Sequence, residues 1–257
     1  MQMTVAVFSA LQAELDLLID SVARPHSSSI AGWPTWTGHM NSTQVILAKA
    51  GLGKVNTAAL SALVWERHRP SLMIFTGVAG GLDPSLGVGD VVVGARTVQH
   101  DAGVLSPGGI ERYQAGHIPF FNPTDDFGFA PSHDLLATVR HLVPSLRLTP
   151  VLDREPRVVF GTILTGDVFL QDEGMRDRLF TELSAQAIEM EGAALGQTAS
   201  RLGVDHIVIR SLSDLAADDA DQHFERFVGE AAANSARLVS ALLDRLQNDD
   251  GNLTVGA

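Results

Sequence analysis

The sequence predicts an α/β fold in one domain, on three observations. Short apolar, β-branched runs alternate with segments whose apolar residues recur at helical spacing, the pattern of strands covered by helices. Several runs end abruptly in glycine or a carboxylate, as strands do where they hand the chain to a ligand-binding crevice. No internal repeat or linker divides the 257 residues, so 1–247 read as the domain and 248–257 as a polar tail expected to fray.

In order, residues 4–9 (TVAVFS) form a buried strand, and 11–19 a helix with apolar residues at 11, 15 and 18. Residues 24–43 are polar and turn-rich, with a hairpin expected around Trp33 to Thr37. A strand over 44–50 closes in Gly51, Leu52, Gly53 and Lys54. A helix over 55–68 comes next, ended by Pro70. The strand at 71–76 runs into the glycine-rich turn Gly77, Val78, Ala79, Gly80, Gly81, and another strand spans 90–98. Residues 106–133 show no periodicity, and a connection that long reads as a lid, binding loop or interface element. Helices are expected at 135–143 and 173–183, with a strand at 157–164 between them. Residues 187–191 and 206–210 read as strands joined by a helix that Gly203 stops, and 224–246 as a long amphipathic helix. Taken as a βαβ unit, the two strands are parallel, so Glu191 and Asp214 emerge at one sheet edge.

Composition excludes several functions. A formal charge of −12 disfavours nucleic acid and anionic membranes as partners, because both require a basic face. The absence of cysteine removes disulfides, thiol catalysis and zinc–thiolate sites, and fits a reducing cytoplasm. The apolar run at 4–10 has no basic flank and meets Glu14 and Asp16, unlike a signal peptide, and no run is long enough to span a bilayer. His100, Asp101 and His117 lack zinc-ligand spacing, and Asp218, Asp219 and Asp221 lack the glycine and glutamate of a calcium loop, so no metal is expected.

Each candidate residue has a plain structural reading. Glu14 sits where an acid favours a helix dipole, Glu189 at a strand edge, and Asp214 where it caps the next segment. The turn Gly77 to Gly81 matches neither a P-loop nor a dinucleotide fingerprint and reads as close backbone approach, structural or to a small ligand. Trp33 and Trp36 read as packing or interface residues. Convergence of strand ends on one crevice favours the functional reading.

Thr76-Gly77-Val78-Ala79-Gly80-Gly81, Gly89-Asp90, Thr165-Gly166-Asp167, Glu189-Met190-Glu191 and Arg210-Ser211-Leu212-Ser213-Asp214 occur in the order of the nucleoside phosphorylase and nucleosidase superfamily. The chain resembles that superfamily over nearly its whole length, most closely its 5′-methylthioadenosine/S-adenosylhomocysteine nucleosidase branch, to which Ala10 and Glu14 also point. The resemblance implies a central mixed, twisted β-sheet flanked by helices, and hydrolysis of purine nucleosides without a cofactor. It further implies that Asp214 protonates adenine N7 and that Glu14 activates water. Glu191 would hold the ribose hydroxyls, with Met190 backbone and Glu189 beside it. Phe169 would stack on the purine and the Leu170 backbone would read its edge. Phe224, Leu52 and Leu11 would line the 5′ pocket, Val78, Ala79 and Gly80 the water and sugar environment, and Arg210 and Ser213 would support the sugar and Asp214. Val78 stands where many relatives have serine, and Leu11 where methionine is frequent. Relatives complete the 5′ pocket with a neighbour's loop, which implies a homodimer with loop 106–133, near His117 to Phe120, at the neighbour's site.

Hydrolysis is favoured over phosphorolysis because a phosphate dianion needs cationic or backbone donors, whereas the segment after the first strand offers Glu14 and no arginine before Arg24. Three other readings stand beside it: a futalosine or aminofutalosine hydrolase, a phosphate-dependent purine nucleoside phosphorylase, and a nucleoside-binding sensor without turnover.

Overall fold

In the computed structural model, which describes residues 3–40 and 43–249, β1 (Thr4–Ser9) lies between two parallel partners, β4 (Thr43–Lys49) and β5 (Leu72–Gly81). β1 is buried on both faces and sorts its side chains by parity. Val5 and Val7 pack with Leu15 and Leu18 of α1 (Gln12–Ser21) and with Leu238, Val239 and Leu242 of α6 (Ala220–Asp249). Ala6 and Phe8 face the opposite layer, with Leu60 and Val64 of α2 (Lys54–His68) and Leu195 and Ala199 of α5 (Gly192–Leu202). The molecule is thus a sheet between two helical layers.

Chain order supplies the other strands. The hairpin of β2 (Ala23–Ile30) and β3 (Trp33–Met40) turns at Ala31 and Gly32, both at positive φ, so Trp33 and Trp36 lie on a strand and not at the turn. β6 (Val91–Gln99), β9 (Val158–Thr165), β10 (Ala185–Glu189) and β11 (Asp205–Asp214) complete a mixed nine-stranded sheet of order β10-β9-β6-β11-β5-β1-β4-β3-β2.

Here the structure corrects the sequence reading. β11 is parallel to β5, but β10 pairs antiparallel to β5 at Gly80 and Gly81, so β10 and β11 run in opposite directions. The sheet curls until its terminal strand β10 meets β5 again, closing a barrel-like ring of β5, β11, β6, β9 and β10. Glu191 and Asp214 therefore do not emerge from one edge of an open sheet. They meet because β10 crosses the carboxyl end of β5, which continues through the glycine-rich segment instead of turning there.

Loop 106–133 is also more ordered than its lack of periodicity predicts. It begins within a hairpin of β7 (Gly103–Ser106) and β8 (Gly109–Arg112) and ends at α3 (His133–Leu142), which Ser132 caps. A 3-10 turn (Val143–Ser145) and α4 (Glu173–Leu183) complete the elements. Helix α6 starts earlier and ends later than expected, taking in 248 and 249; the rest of the expected tail, 250–257, lies outside the described residues.

Candidate active site

Where β5, β10 and β11 converge, a cavity of about 330 Å³ is lined by four acids, Glu14, Glu189, Glu191 and Asp214, together with Arg210 and an apolar wall. The residues that the resemblance assigns to substrate and water all border it: Leu11 and Glu14 from α1 and its cap, Leu52 before α2, and Val78, Ala79 and Gly80 from β5. Phe169 and Leu170 come from the β9–α4 connection, Met190 lies between the two glutamates, Ser213 adjoins Asp214 on β11, and Phe224 comes from α6. Ala10, which the resemblance also marks, contributes as well, together with Val168 and Ile188, which no chemical signal marks in the sequence.

The acids differ in how many hydrogen bonds the protein already gives them. A carboxylate offers about four lone-pair sites. Glu189 receives the Thr165 hydroxyl, the Arg210 guanidinium and the amides of Glu191 (3.1 Å) and Gly192 (2.8 and 2.9 Å), so it is filled by protein groups that fix the start of α5. Among the described residues the Glu191 carboxylate accepts only the Gly53 amide at 2.7 Å and Arg210 Nη2 at 3.1 Å, leaving capacity toward the cavity. Burial, reinforced by Glu189 and Glu14 against the opposing charge of Arg210, pushes Glu191 up to about 7.

Glu14, the third residue of α1, accepts the Leu11 amide at 2.8 Å and the Ser9 hydroxyl on Oε2, and the Val78 amide at 2.9 Å on Oε1. One Oε1 site remains. A Cβ on Gly77 would collide with this carboxylate, so the glycine admits Glu14 to the end of β5. The Val78 side chain packs against Ala231 and Ala232 of α6, its amide serves Glu14, and its carbonyl accepts from Arg210 Nη1 at 3.4 Å.

Asp214 ends β11. Its Oδ2 bonds the Ser213 hydroxyl at 2.9 Å, and its Oδ1 accepts the Ala216 amide at 2.9 Å. Burial holds its pKa above the ordinary carboxylate value, against the lowering effect of those two bonds. A shift in this direction favours the protonated form, the form from which a proton is delivered. Arg210, 1 % exposed, lies over the Phe75 ring, and Glu189, Glu191 and Glu14 keep it charged despite its burial. At the mouth, the Phe169 and Phe224 rings meet edge to face at 6.0 Å, with Phe169 half exposed.

Other features singled out from sequence serve the scaffold. Buried Asp90 binds Arg154 and Arg157 and anchors the entry to β9. Trp33 donates to the Ala50 carbonyl at 2.9 Å, and Trp36 packs against the core. Among the described residues no group of three or more His, Asp or Glu is arranged to hold a metal ion, and no helix is long and apolar enough to cross a membrane. Sequence reasoning missed Ser9, Gly53 and Thr165 as partners of the acids. Gly53 and Thr165 lie in segments that stood out, but nothing indicated which carboxylate they bind.

This sheet, with its acids gathered at the β5 crossing, places the chain in a known family: it belongs to the phosphorylase superfamily, which it matches over residues 4–244. It is 41% identical over 249 residues to the 5′-methylthioadenosine/S-adenosylhomocysteine nucleosidase of Mycobacterium tuberculosis, covering 95% of this chain and 98% of that one. Among solved structures it is similar to the nucleosidase of the same name from Colwellia psychrerythraea in complex with adenine (TM-score 0.83, 32% identity, 96% of each chain). The Neisseria meningitidis nucleosidase with methylthio-immucillin-A is similar as well (TM-score 0.81, 32% identity, 93% of this chain and 98% of that one).

Proposed function

We propose that this protein is an N-glycosyl hydrolase that releases adenine from 5′-substituted adenosines such as 5′-methylthioadenosine, S-adenosylhomocysteine and 5′-deoxyadenosine. The observation that carries the reading is the division of labour among the acids of one cavity, of which Glu14, Glu191 and Asp214 keep capacity for a ligand.

In this reaction Asp214 gives its proton to adenine N7 as the C1′–N9 bond breaks, so the base leaves neutral. Positive charge grows on the sugar, and the ionised Glu14 stabilises it while taking a proton from the water that adds to C1′. Glu191 accepts the ribose hydroxyls beside the Met190 backbone. Glu189 and Arg210 hold Glu191 in place, and Ser213 orients Asp214. Phe169 stacks on the purine and the Leu170 backbone reads its edge. Leu11, Leu52 and Phe224 surround the 5′ group, and Val78, Ala79 and Gly80 line the water side.

Water is favoured over phosphate because the donors near the nucleophile position are engaged. The Leu11 and Val78 amides bind Glu14, and Arg210 pairs with two glutamates. Adenine release from 5′-methylthioadenosine in phosphate-free buffer tests the reading; cleavage that required phosphate would overturn it.

We further propose a homodimer whose 106–133 loops reach the neighbour's site. Phe120 and Phe121, 82% and 81% exposed, together with Ile118, give that loop an apolar surface suited to burial. A fully active monomer in sedimentation would contradict this. The cysteine-free sequence and this substrate class support a cytoplasmic role in methionine salvage.

A further inference from the structure

Three chain segments surrounding the cavity mouth are tied by a ring of hydrogen bonds outside the site itself. Lys54 Nζ donates to both oxygens of Asp101, at 2.7 and 2.8 Å. Asp101 Oδ2 accepts the Asp167 amide at 3.2 Å, and Asp167 Oδ1 accepts the Lys54 amide at 2.9 Å, which closes the ring. Helix α2 has no side-chain cap of its own and no acid in its first turn. Its first amides are met by carboxylates from elsewhere: Gly53 binds Glu191, and Lys54 binds Asp167. Gly53, at φ +92, passes so near Asp167 that a Cβ would lie 3.0 Å from its carboxylate. Asp101 lies just beyond β6, and its neighbour His100 donates its amide to the Thr165 carbonyl at 3.0 Å.

We propose that Asp101 is a positioning residue, which through Lys54 and Asp167 sets the Gly53 amide against Glu191 and aligns the Val168–Phe169–Leu170 segment at the mouth. The inference rests on the purine and ribose subsites proposed above. Asp101 does not line the cavity, so it acts only through the groups it holds. Its ring joins the sugar-side carboxylate to the base-side loop, 113 residues apart at the Lys54–Asp167 bond.

The test is hydrogen–deuterium exchange of the full chain without ligand, alongside steady-state kinetics on 5′-methylthioadenosine, for Asp101→Ala, Lys54→Met and Lys54→Arg. In the first two variants exchange in 51–54 and 166–170 is expected to quicken about tenfold, with β1 and β5 unchanged. KM is expected to rise about tenfold with kcat within about threefold, and Lys54→Arg to restore most of the difference. Unchanged exchange in 166–170, or faster exchange with an unaltered KM in an active enzyme, would overturn the proposal. If the unsubstituted protein failed to cleave the nucleoside, the functional reading would fall while the exchange data still decided whether the ring couples the segments.

Discussion

Glu189 and Glu191 bind the same nitrogen, Arg210 Nη2, but only Glu191 retains room for a ligand. Glu189 is filled by Thr165, Arg210 and the first amides of α5, whereas Glu191 has two protein donors. The two acids are therefore expected to fail differently. Glu189→Gln breaks a buried ion pair and a helix cap, lowering stability by about 3 kcal/mol in a urea titration. Glu191→Gln leaves Arg210 paired with Glu189, and lowers kcat/KM about a hundredfold with a smaller change in stability. The reverse ranking would show that Glu189 is the ligand-facing acid.

Asp214→Asn keeps the shape of the side chain and an acceptor for the Ala216 amide but removes the transferable proton. Turnover is expected to fall by about 10³ while adenine binding, followed by calorimetry, changes less than about threefold. Rates like those of the unsubstituted protein would remove Asp214 from the role of acid.

The sequence revealed the strands and helices wherever local pattern decides them. Residues 5–8 of β1 and 207–209 of β11 are apolar runs because helices cover both faces, and Gly203, at φ +66, ends α5 as expected of a helix stop. The direction of β10 was hidden because it depends on closure of the sheet onto Gly80 and Gly81, a contact between residues far apart in the chain. The β7–β8 hairpin was hidden by its brevity, four residues in each strand. Which acids gather at one cavity was legible, but their remaining capacity was not. Gly53 and Val78 contribute backbone amides, which no residue type announces.

Glu14 owes its position to a cradle in which glycine matters as much as any donor. Gly77, at φ +146, has no room for a methyl group beside the carboxylate and Arg210. Gly77→Ala is expected to displace Glu14 and reduce kcat about a hundredfold. Ser9→Ala removes one donor to Oε2 and leaves the Leu11 and Val78 amides in place, so a loss of about tenfold is expected. Steady-state assays of both variants check the order; a larger loss for Ser9→Ala would make the hydroxyl, and not the steric opening, the dominant constraint.

Away from the cavity, His206 gives the fold a dependence on acid. It is 4% exposed, its Nε2 has no hydrogen-bond partner among the described residues, and burial lowers its pKa to about 4 despite the nearby charge of Asp205. The unfolded chain takes up this proton as pH falls below 6.5, while the folded chain resists until about 4. Stability from the neutral imidazole is therefore present above 6.5 and is lost progressively through that window, by about 3 kcal/mol in all. His206→Leu retains an apolar filling beside Gly196 and removes the titration. Its urea midpoint should fall less than that of the unsubstituted protein between pH 6.5 and 4, whereas parallel pH profiles would mean that His206 is already protonated in the folded state or solvated there.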